Sequence, residues 1–501
     1  MKIVNFRYAP YILLTLAAGL ILAAFYNVYI FAGTVVVAIS IIFFSYKKKF
    51  FIKALIGAIS IIIGLSSSFI VQYSVSNSKN YSDCIIEGRV TEDSEYTQSG
   101  YNLVLDNVTV EGIKLNGRIT VVISPEDINY VVPETGYRIT FQGGVTRNDL
   151  DMFSGYSVKD YRKKLYYTGS FDYVISYQEG LPTLLESIRA RIKEAVYSSI
   201  DDEDTAALSY ALISGNRNNI DFEIIQYIGT SGIAHVFAVS GLHVAILAGA
   251  LYYIFKKLKV PPVPRFFAVV IPLILYIAFC GFTPSVVRAV LMSSMVMFGT
   301  LTGRRNDMLS IVSLSAIIIL LFKPVYLLEV SFLMSYAAVF GIILLFKPIS
   351  RAMQDVPEKI RNFLVSTLSA NIALFPVISI YFNTFSLYFL LANLIILPAI
   401  GLIFIILLSG TLLAIVIPQA TFVLTAGCYL MNGVKQITFA IGSLPYASIA
   451  VGSMGAFAVF YYICVILSSD YVLLDKKSSS RIWLVSASLS FIGIIYAFLS
   501  V

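Results

Sequence analysis

The sequence predicts a polytopic α-helical membrane protein of about 11 to 13 transmembrane segments, some of them broken or re-entrant, carrying one β domain outside the bilayer near its N-terminus. Three observations predict it. Hydrophobic residues make up 58% of the 501 positions, charged residues only 13%, and mean hydropathy is +0.81, beyond the range of a soluble globular chain. Apolar runs of membrane length recur along most of the chain. Between them, residues 79–180 form one long stretch of a different, strand-like character.

The N-terminal part, residues 1–78, reads as a three-span anchor, with apolar runs near 11–25, 28–46 and 54–72. Lys2 and Arg7 precede the first run as in a signal peptide. The second run follows with no small-residue cleavage site between, which favours an uncleaved hairpin. No Asp or Glu occurs before residue 79, and Lys47, Lys48, Lys49 and Lys53 cluster in one loop, predicting that this loop and the N-terminus are cytoplasmic. The third run then leads outside.

Between Ile85 and Tyr177 lie short β-like runs, 85–90, 101–110, 118–124 and 137–145, punctuated by turn signals such as Glu111-Gly112 and Asn116-Gly117. A small barrel or a sandwich fits this spacing. The stretch 79–180 holds fifteen acids against ten bases, so the domain as a whole repels phosphate. One segment differs: Lys159, Arg162, Lys163 and Lys164 interleave with Tyr156, Tyr161, Tyr166 and Tyr167. That mixture of charge and π-faces suits single-stranded nucleic acid. It also suits a solvated connection whose tyrosines cover the barrel or sit at the membrane interface.

Residues 181–224 form an amphipathic helical linker: Leu184, Leu185, Ile188, Ile192 and Val196 recur at helical spacing with charged residues between. Each run is too short to cross the bilayer, predicting a position along its surface or against the β domain. From 225 to 501 the acids nearly vanish, and apolar runs near 235–255, 266–280, 286–302, 308–322, 330–346, 363–382, 387–417, 420–442, 447–468 and 482–500 predict the polytopic domain. With the β domain outside, the basic loops 256–265, 303–307, 347–361 and 469–481 all fall inside. Breaks are predicted at Gly281-Phe282-Thr283-Pro284, Phe375-Pro376 and Leu397-Pro398, with a re-entrant half-helix in 387–417.

Polar residues inside these runs are the candidate site. Arg288, Glu329, Asn371 and Asn393 lie in or beside apolar segments, where ionisable groups mark pathways. The plainer reading has Arg288 snorkelling or paired structurally, with Glu329 as one partner, and the asparagines only holding helices together. The only two histidines, His235 and His243, flank Ser240-Gly241 at the mouth of one run. On a continuous helix their spacing is about 12 Å, too far for a shared metal. Ser240 and His243 would suit hydrolytic chemistry only with a third, orienting group, and none is near in sequence; packing around Gly241 is the alternative. Cys84, Cys280, Cys428 and Cys464 are scattered without zinc spacing, and no phosphate-loop motif is present. No metal, cofactor or catalytic residue is predicted.

The string Ala234-His235-Val236-Phe237-Ala238-Val239-Ser240-Gly241-Leu242-His243-Val244 resembles the signature of the ComEC family, and Leu212–Arg217, Gly281–Met292, Gly303–Asp307, Ser331–Gly341 and Ala392–Pro398 lie in that family's order. The resemblance implies a bacterial inner-membrane channel carrying single-stranded DNA during natural transformation, with an OB-like extracytoplasmic domain. An external DNA receptor and a cytosolic helicase-like ATPase are the partners it implies, and a homo-oligomer is left open. Many relatives carry a C-terminal metallo-β-lactamase-like domain with a His-rich metal motif. No such motif stands here, so the resemblance implies a short form without that chemistry. Two other classes remain: a transporter or flippase for another anionic substrate, and an intramembrane hydrolase using Ser240 and His243.

Overall fold

The computed structural model describes residues 8–24, 55–64, 66, 80–91, 95–97, 100–115, 117–123, 135–148, 165–178, 180, 182–217, 219–237, 239–304, 306–455, 457–467 and 469. The expected runs at 28–46 and 482–500 and the positions Tyr156 to Lys164 lie outside the described residues. The chain divides into two compact units: Leu14–Arg191 with Leu320–Glu329, and Met1–Leu13 with Ile192–Ile319 and Val330–Val501. Helices α1 (Tyr8–Ala24) and α2 (Leu55–Gly64) fall where the first and third apolar runs predict them.

The β domain is a closed barrel. Strands β1 (Tyr81–Val90), β2 (Glu95–Thr97), β3 (Gly100–Val110), β4 (Ile113–Lys114), β5 (Arg118–Ile123), β6 (Arg138–Arg147) and β7 (Leu165–Gln178) build it. The ring runs β1–β3–β5–β7–β6 and back to β1, every pairing antiparallel except β5 with β7. Five strands closing in that order are the OB arrangement, which decides between the barrel and the sandwich. Alternate side chains point inward: Ile86, Leu103, Leu105, Ile119, Val121, Ile123, Ile139 and Phe141 are fully buried. Strand β7 lies beyond the four runs read from the sequence. Helix α3 (Leu184–Tyr197) starts on a capping box in which Thr183 and Glu186 exchange hydrogen bonds, and Glu186 Oε2 lies 2.6 Å from Arg89 Nη2 on β1.

The second unit is helical. In chain order it contains α4 (Glu203–Ser214), α5 (Phe222–Thr230), α6 (Gly241–Lys257), α7 (Pro262–Phe279), α8 (Pro284–Leu301), α9 (Met308–Phe322), α10 (Val330–Ala352), α11 (Glu358–Tyr381), α12 (Phe389–Val416), α13 (Thr421–Gly442) and α14 (Phe457–Leu467). Among the described residues, α7, α8, α10, α11 and α12 are long and apolar enough to cross a membrane. Helix α7 shows why: Val269, Leu273, Tyr276 and Ile277 are buried while Phe267, Ile271, Ile274 and Leu275 are exposed. A helix that is apolar on both faces belongs in lipid. This is a membrane protein.

Three expectations are corrected. Pro376 lies inside the continuous α11 and Pro398 inside the continuous α12, so only the break at residues 281–284 divides two helices, through Gly281 at φ +70° and Phe282 at φ +55°. Residues 387–417 contain one 28-residue helix rather than a half-helix plus a span; at about 1.5 Å per residue it exceeds the hydrocarbon thickness, which tilt accommodates. Helix α4 is not a surface helix: every residue from Thr205 to Ser214 is buried.

Short strands β8 (Thr384–Ser386) and β9 (Ser448–Ala450) pair antiparallel, so the α11–α12 and α13–α14 connections meet at one end of the helices. One core joins α3 to α8 with α12 and α13, and a second joins α10, α11 and α14. Helices α10 and α11 touch at Gly341, where a Cβ would stand 2.5 Å from both Ala373 Cβ and Ser369 O. Only glycine fits there.

Candidate functional site

The signature residues form a turn that leads into α6. Ile233, Val236, Phe237 and Val239 are buried while Ala234 and His235 are exposed. An irregular backbone beside apolar helices leaves carbonyls that need donors. Arg217 supplies two, from Nε to Phe237 O at 3.0 Å and from Nη2 to Ala234 O at 2.6 Å. Ser285 Oγ, one residue into α8, donates to Val239 O at 2.8 Å. Gly232, at φ +80°, sits where a Cβ would meet Ser386 and Phe389 at 2.9 Å, which brings the β8 region against the turn. Burial lowers the pKa of Arg217, yet a guanidinium stays charged.

Helix α6 begins at Gly241, so the expected run at 235–255 is shorter and His235 and His243 do not share a helix. The start is set by a box: Ser240 Oγ accepts from Leu242 N at 3.2 Å and His243 Nδ1 accepts from Ser240 N at 3.0 Å. Nδ1 as acceptor makes the ring neutral with its proton on Nε2. That Nε2 is buried without a hydrogen-bond partner, and the ring packs on Phe404 at 4.8 Å between centroids. Ser240 Oγ lies 3.2 Å from His243 Nδ1, within reach for a nucleophile and its base. The same nitrogen already accepts the backbone N–H, and no group orients Nε2, so the pair is built as a helix cap.

Arg288 lies one turn into α8 and is 6% exposed. Its Nε and Nη1 have no hydrogen-bond partner, and its Cζ stands 5.5 Å from the centroid of the Tyr336 ring. Gly241 passes close by: a Cβ there would lie 3.1 Å from Arg288 Nη2. Tyr336 is itself fixed by Ser315, Oγ to hydroxyl 3.0 Å.

The remaining candidates separate. Asn393 is 2% exposed on α12 with Oδ1 unpartnered, whereas Asn371 donates back to Thr367 O at 2.9 Å on its own helix. Glu329 is buried after the turn Pro324–Leu328 and belongs to the other unit. Tyr156, Lys159, Tyr161, Arg162, Lys163 and Lys164 fall in the connection between β6 and β7, outside the described residues, and Tyr166 is in β7. Tyr167 is corrected: at 5% exposure it fills the barrel core, so its ring offers no stacking face.

Sequence reasoning passed over Arg217 as a clamp, Ser285, Tyr336 and the pair of Asp202 with Lys435. Lys435, 7% exposed on α13, contacts Asp202 at the N-terminus of α4 and lies 3.8 Å from Asp204. Desolvation raises the Asp202 pKa, but hydrogen bonds from Lys435 and Thr205 outweigh it and hold the carboxyl below its usual range. The signal was available: a lone lysine in an apolar run needs an acid. Among the described residues no cluster of His, Cys, Asp and Glu could hold a metal ion, and the four cysteines are buried and form no disulfide.

A closed OB barrel on a chain of apolar helices, with a capped polar turn between them in sequence, defines a helical membrane protein that carries an OB-type domain. The family model described as Competence protein matches residues 212–476, and the chain belongs to that family, the ComEC-type competence proteins. ComE operon protein 3 of Bacillus subtilis (strain 168) is 31% identical over 201 residues, which are 40% of this chain and 25% of that protein. An uncharacterized protein of Aquifex aeolicus (strain VF5) is 29% identical over 167 residues, 32% of this chain and 38% of that one. The matches therefore cover about a quarter and about two fifths of those relatives' lengths. No solved structure matches.

Proposed function

We propose that the chain is a bacterial inner-membrane channel or translocase that carries single-stranded DNA into the cytoplasm during natural transformation. The observation that carries the reading is the match to the competence family over residues 212–476, the region that builds the Ser240 turn and Arg288. The OB ring supports it. The β6–β7 connection links the fourth and fifth barrel strands, the position from which OB folds commonly grip oligonucleotides, and it carries the basic-aromatic stretch from Tyr156 to Tyr166. An external DNA receptor and a cytosolic helicase-like ATPase are the partners that the family membership suggests for this transport.

In this reading residues 1–78 anchor, 79–180 form the external barrel, 181–224 link and 225–501 conduct, with the N-terminus and the 347–361 loop in the cytoplasm. The β8–β9 pairing supports the alternation, since it requires residues 384–386 and 448–450 to lie on one side. Strong labelling of Arg304→Cys by an impermeant thiol reagent in intact cells, with none of Arg118→Cys, would reverse this orientation. Arg288 equally suits transport of another anionic substrate, which leaves that class as the second reading. An in-frame deletion in a transformable host separates them: transformation frequency falls to background if the strand passes through this protein, and a fully competent deletion strain removes the DNA assignment.

A further inference from the structure

Arg288 is a buried cation whose Nε and Nη1 find no acceptor. The residue is 6% exposed, and its Cζ stands 5.5 Å from the centroid of the Tyr336 ring. Removing such an ion from water costs several kcal/mol even after relaxation, and a desolvated cation–π contact returns only about 2 kcal/mol. Deprotonation offers no escape, because arginine keeps its proton inside proteins.

The surroundings sharpen the mismatch. Arg288 Nη2 lies against the first residue of α6, with only the missing side chain of Gly241 leaving room, and Arg288 itself sits in the second turn of α8. Both helix N-termini carry partial positive charge, which repels a guanidinium and attracts an anion. The free ends of α6 are already used: Ser240 Oγ takes the Leu242 N–H, and His243 Nδ1 takes that of Ser240. The Tyr336 hydroxyl donates to Ser315 Oγ, whose own proton goes to Val312 O, and Tyr336 meets Arg288 with its ring. Thr283, at the N-cap of α8, adds another buried polar atom without a partner, its Oγ1. Donors are present and one charge is unbalanced.

We propose that Arg288, at the crossing of α8 with the first turn of α6, is a binding site for a single monoanionic phosphodiester, occupied in turn by successive backbone phosphates of the strand. One guanidinium balances one such charge, and the planar fork matches two phosphate oxygens. The positive helix ends add to the attraction, and a single guanidinium keeps the hold weak enough to release each phosphate to the next. The identification of the phosphodiester as DNA rests on the transport reading above; the oxyanion site itself does not.

The full-length chain in phosphate-free maltoside detergent micelles tests it with oligothymidylate as the probe. For single strands the slope of log affinity against log salt changes by about 0.7 for each phosphate neutralised. Arg288→Gln is therefore expected to flatten the slope by that amount, so that a fourfold rise in salt weakens the wild type about 2.6-fold more than the variant. Arg288→Lys keeps the charge and is expected to keep the slope; flattening in both variants reports a damaged fold and overturns the site. An unchanged slope in Arg288→Gln overturns it directly. Added phosphatidylglycerol covers the other source of a phosphodiester: if it raises the Tm of the wild type alone, while both proteins share one oligothymidylate slope, the site belongs to a lipid headgroup and the DNA assignment falls. Should the wild type not bind oligothymidylate, the transport reading fails by itself. Inorganic phosphate then decides the site: a rise in Tm for the wild type and none for Arg288→Gln sustains an oxyanion site, and equal behaviour overturns it.

Discussion

The barrel and the helical unit treat buried polarity in opposite ways. Inside the barrel, the inward positions from Ile86 to Phe141 are apolar, and Asn102 Oδ1 is the one buried side-chain atom without a partner in its described strands. In the helical unit, Ser209, His243, Thr283, Arg288, Ser369 and Asn393 all keep buried atoms unpartnered. Native proteins leave few such groups. The contrast separates a part whose polar groups are nearly all satisfied by its own packing from a part that leaves several buried without a partner among the described residues.

The largest effect that would test this comparison lies in the barrel. Phe141→Ala opens a cavity in a fully buried position, and such truncations cost about 3–5 kcal/mol. Thermal denaturation of the purified chain should show the loss, and protein abundance should fall together with uptake. Undiminished stability would mean that the barrel is not the self-sufficient half.

A smaller effect is expected where the helical unit does satisfy a charge. Asp202→Asn removes the acid that contacts buried Lys435, and because Asp202 is partly exposed the loss is screened to about 1 kcal/mol. The pH dependence has a definite sign. Asp202 and Glu186 both have carboxyls held below their usual range, Asp202 by Lys435 and Thr205, and Glu186 by Thr183 and Arg89, in each case against the upward push of desolvation. Their stabilisation is complete above the unfolded carboxylate pKa of about 4 and is lost as pH falls through the lower folded values. Tm measured from neutral pH down to acid should thus fall less steeply in Asp202→Asn than in the wild type; parallel curves would show that the pair carries no linkage.

The smallest effect on stability belongs to the β6–β7 connection. Replacing Arg162, Lys163 and Lys164 together by Ser should leave Tm unchanged and reduce the salt slope of oligothymidylate binding by about 2. An unaltered slope would deprive this stretch of its role and leave the barrel as scaffold.

How legible was this in the sequence? Period-two runs and Gly turns gave the barrel's first strands, yet β7 escaped because Gly169 and Ser170 interrupt its alternation and a charged stretch precedes it. The chain between apolar runs disclosed the helices, but Pro376 and Pro398 were misread as breaks: within a packed membrane helix, neighbouring groups satisfy the backbone that proline frees. A twelve-residue helix such as α4 has no lipid-length signature, and the core that buries it draws on α13 from far along the chain. Arg288 stood out as an ion in an apolar run. That its partner is the ring of Tyr336 and its neighbour the bare backbone of Gly241 could not be read, since no periodicity links three separate helices.

The central claim is that the unbalanced charge of the helical unit is kept for transport and is a burden to the fold. Arg288→Leu tests it most directly, with Tm of the purified chain and transformation frequency measured on the same variant. Replacing a buried ion by an apolar side chain is often neutral or stabilising by about 1–4 kcal/mol, so the account predicts an unchanged or raised Tm at normal membrane abundance together with a transformation frequency reduced at least tenfold. A lowered Tm with abundance and transformation falling in parallel would contradict it, and so would full transformation by the stable variant.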